Sequence, residues 1–147
     1  MLPLKVVGDI TNTLELRYID SFVRNGNTGE LCKAIKVFIE ENYEDMYSAI
    51  LDVSKQFEDG ARKYDSRNWE KGIPLHCYID SGTRHLLRYK RGDRDEPHDR
   101  AFLWNMLCAI WTHDNLPEMI DLPFRESIVS SGRGSRLREA LGMKNES

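Results

Sequence analysis

Apolar residues recur along most of the chain with the spacing of helices that bury one face. In the first half, this spacing covers residues 13–24, a segment that begins at Thr28, and residues 46–64, where it holds for about five turns. Gly26 lies between the first two segments and supplies a stop signal. The pattern therefore predicts three amphipathic helices before residue 65.

Two more helices are predicted in the second half, on either side of a charged break at residues 92–96. The first covers residues 75–91. The second begins near Pro97, whose missing N–H costs nothing in a first turn, and it ends near Asn115. Asp95 or Glu96 is the expected cap of this helix. The polar stretch 65–74 is predicted to be a loop.

The two ends of the chain carry weaker patterns. Residues 4–7 could form a lone strand, although a single strand is not stable by itself. After Pro123 the composition changes, and residues 130–136 indicate a flexible basic linker before one short helix over 136–141. The sequence therefore predicts an all-α fold, with a compact bundle of about five helices in one domain over residues 1–123 and a flexible basic tail over 124–147.

Composition narrows the class of protein. A chain of 147 residues, 40% hydrophobic and 31% charged, is typical of one globular domain. No apolar run approaches the ~20 residues of a membrane-spanning helix, so no membrane contact and a cytoplasmic location are expected. A net charge of −3 disfavours duplex nucleic acid as a partner. Any anionic ligand would have to be held by a local basic cluster.

Residues 60–72 combine cations, a large aromatic ring and glycines, which are residue types that suit a nucleotide site. Lys63, Arg67 and Lys71 could neutralise phosphates, and Trp69 offers a flat face for stacking on a base. The alternative is that Trp69 anchors the loop on the core while the cations stay solvated. For these residues taken alone, packing is the more common outcome, since aromatic side chains pack more often than they bind ligands.

Polar side chains on the two C-terminal predicted helices form a second candidate group. Asp80 and Arg84 share one face of the helix over 75–91, and a surface ion pair between them is more common than a catalytic carboxylate. His98 and Asn105 lie near the apolar stripe of the following helix and need partners if they are buried. Those partners could belong to a ligand site, or His98 and Asn105 could make internal hydrogen bonds to the preceding helix.

The order of these residues resembles the dATP/dGTP diphosphohydrolase N-terminal domain family, which is known mainly from phage and bacterial genomes. The resemblance covers about residues 60–110, and it rests on spacing and residue type in three successive elements. The matching residues, in chain order, are Lys63-Tyr64, Asn68-Trp69, Gly72, Asp80-Ser81, Arg84-His85-Leu86, Gly92-Asp93, Pro97-His98 and Trp104-Asn105. The chain departs from the family pattern at Asp65, where the family has glycine, and at Ala101, where it has a second histidine.

The resemblance implies cleavage of purine deoxynucleoside triphosphates, dATP or dGTP, to the monophosphate and pyrophosphate, with Mg²⁺ bridging phosphate oxygens. It implies catalytic roles for Asp80, His85 and His98. The substrate would be bound by Lys63, Arg67, Asn68, Trp69, Lys71, Arg84 and Asn105, and the Mg²⁺ by Asp80, Asp93, Asp95 and Glu96. The expected partners are the nucleotide and further copies of the chain in a homo-oligomer.

The predicted helices over 75–91 and 97–115 are joined by a short turn and should pack antiparallel. That packing puts Asp80 and His98 near opposite ends of the pair. The predicted site is therefore composite: residues 63–72 meet Asp80 and Arg84, while His98 and Asn105 join from the second helix or across an oligomer interface.

Other functions stay open. Because Ala101 replaces a histidine, the chain could be a non-catalytic nucleotide-binding protein, for example a phage sponge that sequesters a nucleotide signal. The pairs Glu41/Glu44 and Glu96/Asp99 have the ExxE and ExxD form of MazG-type pyrophosphohydrolases, with a longer gap than that family has. His98-Asp99 resembles HD-domain phosphohydrolases, a minor alternative because the separations are short for that fold. A helical adaptor without a small ligand is the third class.

Overall fold

The computed structural model describes residues 1–63 and 67–131, apart from the side chains of residues 61–63 and 129–131. These residues form seven α-helices and two short 3-10 helices, Asn68–Lys71 and Pro117–Met119, and they contain no strand. The α-helices are α1 (Leu4–Thr11), α2 (Leu14–Asn25), α3 (Thr28–Asn42), α4 (Met46–Lys63), α5 (Leu75–Arg91), α6 (His98–Asn115) and α7 (Phe124–Ser131). The predicted all-α class is confirmed, with seven helices in the described residues where about five were expected.

The five periodic segments of the sequence correspond to α2 through α6, with ends within about two residues of the predicted ones. Local signals fix several of these ends. The Asn27 side chain accepts a hydrogen bond from the backbone N–H of Gly29 and so caps α3. Gly26 and Gly92 adopt left-handed backbone conformations that end α2 and α5.

The N-terminal segment differs from its prediction. Residues 4–7 do not form a strand but belong to α1, which packs against α2. Leu4 and Gly8, one turn apart, are the buried residues of this helix. Packing favours the helix over the strand. A helix can bury Leu4 and Gly8 against α2, whereas a lone strand would leave its backbone hydrogen-bonding groups unpaired.

The start of α6 also differs from its prediction. Neither Asp95 nor Glu96 caps the helix; Pro97 occupies the N-cap position, and no side chain caps it. The Asp95 carboxylate instead accepts a hydrogen bond from the Nε2 of His98, at 2.8 Å. A side chain that could have capped the helix is thus engaged with a histidine.

The antiparallel packing of α5 on α6 is confirmed, and it is the most extensive contact between helices in the described residues. Gly82 of α5 faces Asn105 and Met106 of α6, whereas His85, later in α5, faces His98 at the start of α6. A Cβ added at Gly82 would lie 2.6 Å from the Met106 Cε and 3.2 Å from the Asn105 Cβ. Glycine therefore allows the two helices their close approach.

The chain continues past the predicted domain boundary into α7. Phe124, its first residue, is buried, with its ring centroid 5.4 Å from that of Phe22 and 5.8 Å from that of His113. The domain boundary at residue 123 stays a prediction. The predicted short helix over 136–141, like the rest of residues 132–147, lies outside the described residues.

Within the described ranges, no helix is both long enough and apolar enough to cross a bilayer.

The Phe124 ring fills the space beside Gly26, which gives a test of this packing. A Cβ at Gly26 would lie 2.6 Å from the Phe124 ring. We expect Gly26→Ala to lower the free energy of unfolding by about 2 to 4 kcal/mol, because steric overlap adds to the cost of a positive φ. Gly92→Ala is the matched control, since it also has a positive φ but meets no described atom within 4 Å.

Denaturant unfolding of both variants measures the difference. The control should lose about 1 kcal/mol, from backbone conformation alone. If Gly26→Ala lost no more than Gly92→Ala, the Phe124 ring would not be held against α2 as the structure shows.

Candidate functional site

A pocket of about 650 Å³ lies between α4, the 3-10 helix Asn68–Lys71 and the α5–α6 pair. Its size is in the range of small-molecule sites. The residues that line it are Gln56, Phe57, Asp59, Gly60, Arg67, Asn68, Trp69, Ile73, His85, Glu96, Pro97, Arg100, Ala101 and Trp104. The pocket therefore combines aromatic, cationic and acidic side chains.

Three aromatic side chains form one wall of the pocket. The rings of Phe57 and Trp69 meet edge to face with centroids 5.6 Å apart, and Trp104 lies 6.0 Å from Phe57. Trp69 also packs edge to face on Trp111, at 4.9 Å. The half-buried Trp69 thus anchors its loop on the core, as the alternative interpretation of this residue expected, and it lines the pocket as well. The two roles are compatible, because one ring can pack by its edge and leave part of its surface to a ligand.

Arg100 and Asp59 contribute charge from facing helices. Arg100 stands in the first turn of α6, and its Nη2 lies 3.6 Å from an Asp59 carboxylate oxygen on α4. Its Nε is buried and has no hydrogen-bond partner among the described residues. Arg67, by contrast, is exposed and pairs with Glu70, at 2.6 Å. Arg100 therefore has hydrogen-bond donors available to an anion in the pocket.

A pair of histidines stands behind the polar end of the pocket. The Nδ1 atoms of His85 and His98 lie 2.9 Å apart, and a Glu96 carboxylate oxygen lies 3.4 Å from the first and 3.5 Å from the second. His98 is buried and uses its Nε2 to contact Asp95. Of the two alternatives left open for His98, an internal hydrogen bond to the preceding helix is the one that the structure contains.

The surroundings fix the charge states of these groups. Burial lowers the pKa of His85 below its usual value, against the opposing effect of Glu96. The hydrogen bond from His98 lowers the pKa of Asp95, and that from Arg91 lowers the pKa of Asp93. At neutral pH the site therefore combines a neutral His85 with ionised carboxylates.

Among the described residues, two sets of side chains could hold a metal ion. The first is His85, Glu96 and His98; the second is Asp93, Asp95 and His98. Within each set, the ligand atoms lie within 4.8 Å of one another. The two sets share His98 but use different ring nitrogens, since Glu96 lies near Nδ1 and Asp95 contacts Nε2.

The structure brings some of the predicted site residues together. Arg67, Asn68, Trp69, His85 and Glu96 line the pocket, and His98 contacts His85 from behind. Asp93 and Asp95 lie near His98, on the side of the loop that precedes α6. The side chain of Lys63 lies outside the described residues.

Other predicted residues do not line the pocket. Burial chiefly raises the pKa of the Cys77 thiol, and the charges of Asp121 and Asp80 add to this effect, so Asp80 lies near Cys77. Arg84 is exposed. Asn105 is buried and donates to the carbonyl oxygen of Ala101, in its own helix. Lys71 ends the 3-10 helix and is exposed. The structure therefore does not bring Asp80, Arg84 and Asn105 to the pocket, and their assigned roles stay predictions.

Asp59 and Arg100 were missed by the sequence analysis. Their proximity depends on the packing of α4 against α6, which local patterns do not show. One local signal existed: a cation in the first turn of a helix is unfavourable next to the positive end of the helix dipole. Arg100 in the first turn of α6 is such a cation, so its position in the sequence indicates a role other than stabilising the helix.

Comparison with protein families identifies the family of this chain. A model described as dATP/dGTP diphosphohydrolase, N-terminal, matches residues 35–121. The chain belongs to the dATP/dGTP diphosphohydrolase N-terminal domain family. The match contains every residue that lines the pocket. The chain matches no curated protein and no solved structure.

Ala101 is a position in the pocket at which the sequence analysis expected a difference from the family. The resemblance in sequence places a second family histidine at the position of Ala101, and Ala101 lines the pocket one turn after His98. This member of the family thus has a side chain without a titratable atom at that point of the wall.

The edge-to-face contacts of Trp69 give a prediction about stability. We expect Trp69→Ala to lower the free energy of unfolding by about 2 to 3 kcal/mol, because the ring loses its contacts with Phe57 and Trp111. Arg67→Ala, in the same loop, removes only an exposed ion pair and should cost at most about 0.5 kcal/mol. Denaturant unfolding compares the two. Equal losses would mean that Trp69 does not anchor the loop.

Proposed function

We propose that the protein hydrolyses purine deoxynucleoside triphosphates, dATP or dGTP, to the monophosphate and pyrophosphate. The observation that carries this proposal is the pocket within the family-matched segment, which joins an aromatic wall to a charged end. A nucleoside triphosphate has the same division into an aromatic base and a polyanion. The two ends of the ligand and of the pocket correspond in chemistry.

The aromatic wall supports placement of the base. Phe57, Trp69 and Trp104 present ring surface to the pocket, and stacking of a base on such rings contributes about 1 to 3 kcal/mol. Asn68 lines the same region and carries an amide with both donor and acceptor atoms. This combination allows a purine to be held by its face and contacted at its edge.

Arg100 is the group best placed for the phosphates. Its guanidinium is mostly buried, only loosely paired with Asp59, and has an unpartnered Nε among the described residues. A phosphate oxygen would supply the missing acceptor through a charge-assisted hydrogen bond. Arg67 is exposed at the rim and could add a second cation by leaving Glu70.

Hydrolysis to monophosphate and pyrophosphate needs water to attack the α- or β-phosphorus, to break the phosphoanhydride bond between them, and to lose a proton as the monophosphate and pyrophosphate separate. His85 and Glu96 are the pocket residues suited to accept that proton, since burial favours neutral His85 and Glu96 carries a carboxylate. Mg²⁺ would enter with the triphosphate as part of the substrate. Asp59 and Glu96 offer the carboxylate oxygens that this ion prefers, and Asp80 does not line the pocket.

We also propose that the protein acts as a homo-oligomer in the cytoplasm of a bacterium or of a phage-infected cell. Tyr47, Ile50 and Leu51 lie on one face at the start of α4 and are exposed, Tyr47 at 83% and Leu51 at 69%. An apolar face of this kind suits a contact between identical surfaces of two copies. Its position on α4 would put the contact on a helix that also forms the pocket.

A second candidate function is nucleotide binding without catalysis, as in a sponge that sequesters a nucleotide signal. Ala101 is the observation that favours it, because this position in the pocket wall has no group able to carry a proton. The aromatic wall and Arg100 would bind a nucleotide equally well in either function.

One assay separates these functions. We expect purified protein, incubated with each dNTP and Mg²⁺, to convert dATP or dGTP to the monophosphate and pyrophosphate, as followed by ion-exchange chromatography. Removal of Mg²⁺ with a chelator should stop the reaction. Unchanged nucleotide together with a raised melting temperature would identify a binder, because a ligand of the folded state stabilises it. If the assay showed neither product nor a raised melting temperature, both functions would be contradicted.

Arginine substitutions test where the phosphates bind. We expect Arg100→Gln to weaken dATP or dGTP binding about 10- to 100-fold, the cost of one or two charge-assisted hydrogen bonds. Arg84→Gln is the matched control, because Arg84 is exposed on α5 and does not line the pocket. Calorimetric titration with the nucleotide measures both. Weaker binding in the Arg84 variant alone would move the phosphate site away from the pocket and toward the residue that the resemblance favoured.

A further inference from the structure

We propose that His85, Glu96 and His98 form a binding site for a divalent first-row transition metal ion such as Zn²⁺, Fe²⁺ or Co²⁺. The three ligand atoms come from the middle of α5, the loop before α6 and the first residue of α6. They are two imidazole nitrogens and one carboxylate oxygen, a donor set typical of such metals.

The distances between these atoms fit one shared ion. Two ligand atoms bound at about 2.1 Å lie ~3.0 Å apart at a right angle and ~3.4 Å apart at the tetrahedral angle. The two Nδ1 atoms are 2.9 Å apart, and the Glu96 oxygen lies 3.4 Å from one and 3.5 Å from the other. An ion could therefore bind all three atoms with little movement of the side chains.

Asp95 orients one of the ligands. Its carboxylate contacts the Nε2 of His98 at 2.8 Å and so keeps the proton of the neutral ring on that nitrogen. The Nδ1 of His98 is then left with a lone pair directed at His85 and Glu96. A carboxylate behind a histidine in this way is the usual partner of a metal ligand, because it fixes both the ring and its tautomer.

The donor set also indicates which metals bind. Mg²⁺ prefers oxygen ligands and keeps several waters, whereas imidazole suits Zn²⁺, Fe²⁺ and the later first-row ions better. His85 and Glu96 line the pocket, so an ion bound here would have its remaining coordination positions on the pocket side. The role of the ion in hydrolysis depends on the proposed function; its binding does not.

The second set of donors around His98 is less suited to a metal. Asp93 forms an ion pair with Arg91, and Asp95 is already engaged with His98. A metal there would have to displace both contacts. The set formed by His85, Glu96 and His98 requires only the loss of the hydrogen bond between the two rings.

Titration with Co²⁺ tests the site, because its bound form has a visible absorption spectrum that reports nitrogen and oxygen ligands. Full-length protein, first treated with a chelator and then freed of it, is titrated without nucleotide. We expect one Co²⁺ per chain, and binding weakened in His85→Gln and in Glu96→Gln by at least the about 10- to 100-fold that loss of a residue orienting a ligand costs. Excess Mg²⁺ should not displace the ion. Glu96 is 51% exposed, so its substitution should leave the fold intact.

His76→Gln is the matched control. His76 contacts Asp121 through Nδ1 and lies 3.5 Å from the Cys77 sulfur, so it is a histidine with an acid and a thiol nearby that lies outside the proposed site. Binding should be unchanged in this variant. Loss of binding in His76→Gln, undiminished binding in both His85→Gln and Glu96→Gln, or no binding at all would overturn the proposal.

The two proposals fail separately. A protein that binds Co²⁺ at this site but hydrolyses no dNTP would overturn the proposed function alone. A protein that hydrolyses dATP or dGTP and binds no Co²⁺ would overturn the metal site alone.

Discussion

The close approach of α5 and α6 at Gly82 determines where the chemical groups of this fold can lie. Because Gly82 has no side chain, Met106 and Asn105 occupy the space beside it. His85 follows on the same face of α5 one turn later, and it reaches His98 at 2.9 Å. A Cβ at Gly82 would require the end of the Met106 side chain to move and Asn105 to shift by a few tenths of an ångström, next to the turn of α5 that holds His85. The geometry of the candidate site thus depends on a residue that has no side chain of its own.

The opposite wall of the pocket rests on a different kind of packing. Trp69 lies between Phe57 of α4 and Trp111 of α6, in edge-to-face contacts that hold a short 3-10 helix against the bundle. The charged end comes from the loop and first turn that open α6, where Glu96 and Arg100 stand four residues apart. The pocket is therefore the space left between a tightly packed helix pair and an aromatic wall, with polar groups concentrated at the start of one helix.

The sequence was sufficient for the parts of the fold that are local. A 3.6-residue period and glycine stop signals predicted α2 through α6, and the short turn predicted the antiparallel pairing of α5 with α6. The site was harder to predict, because it depends on how each helix is rotated about its axis and on contacts between residues that are distant in sequence. Asp80 and His85 lie about 140° apart around α5, so they cannot both face the pocket, and no local pattern states which one does. The meeting of Asp59 and Arg100 requires knowledge that α4 packs on α6.

The histidine pair imposes a constraint of its own. A buried imidazole is costly unless its nitrogens are paired, and His98 satisfies both, with His85 on one side and Asp95 on the other. Two lone pairs cannot face each other at 2.9 Å without repulsion, so a positive centre must lie between the two Nδ1 atoms. Protons on both would clash in the same way. One proton satisfies the pair as a hydrogen bond, and one metal ion satisfies it together with Glu96. In the proposed site, a proton and a metal ion would therefore be alternative occupants of one position, and the Glu96 carboxylate, 3.4 to 3.5 Å from each Nδ1, is close enough to be the third ligand of the metal.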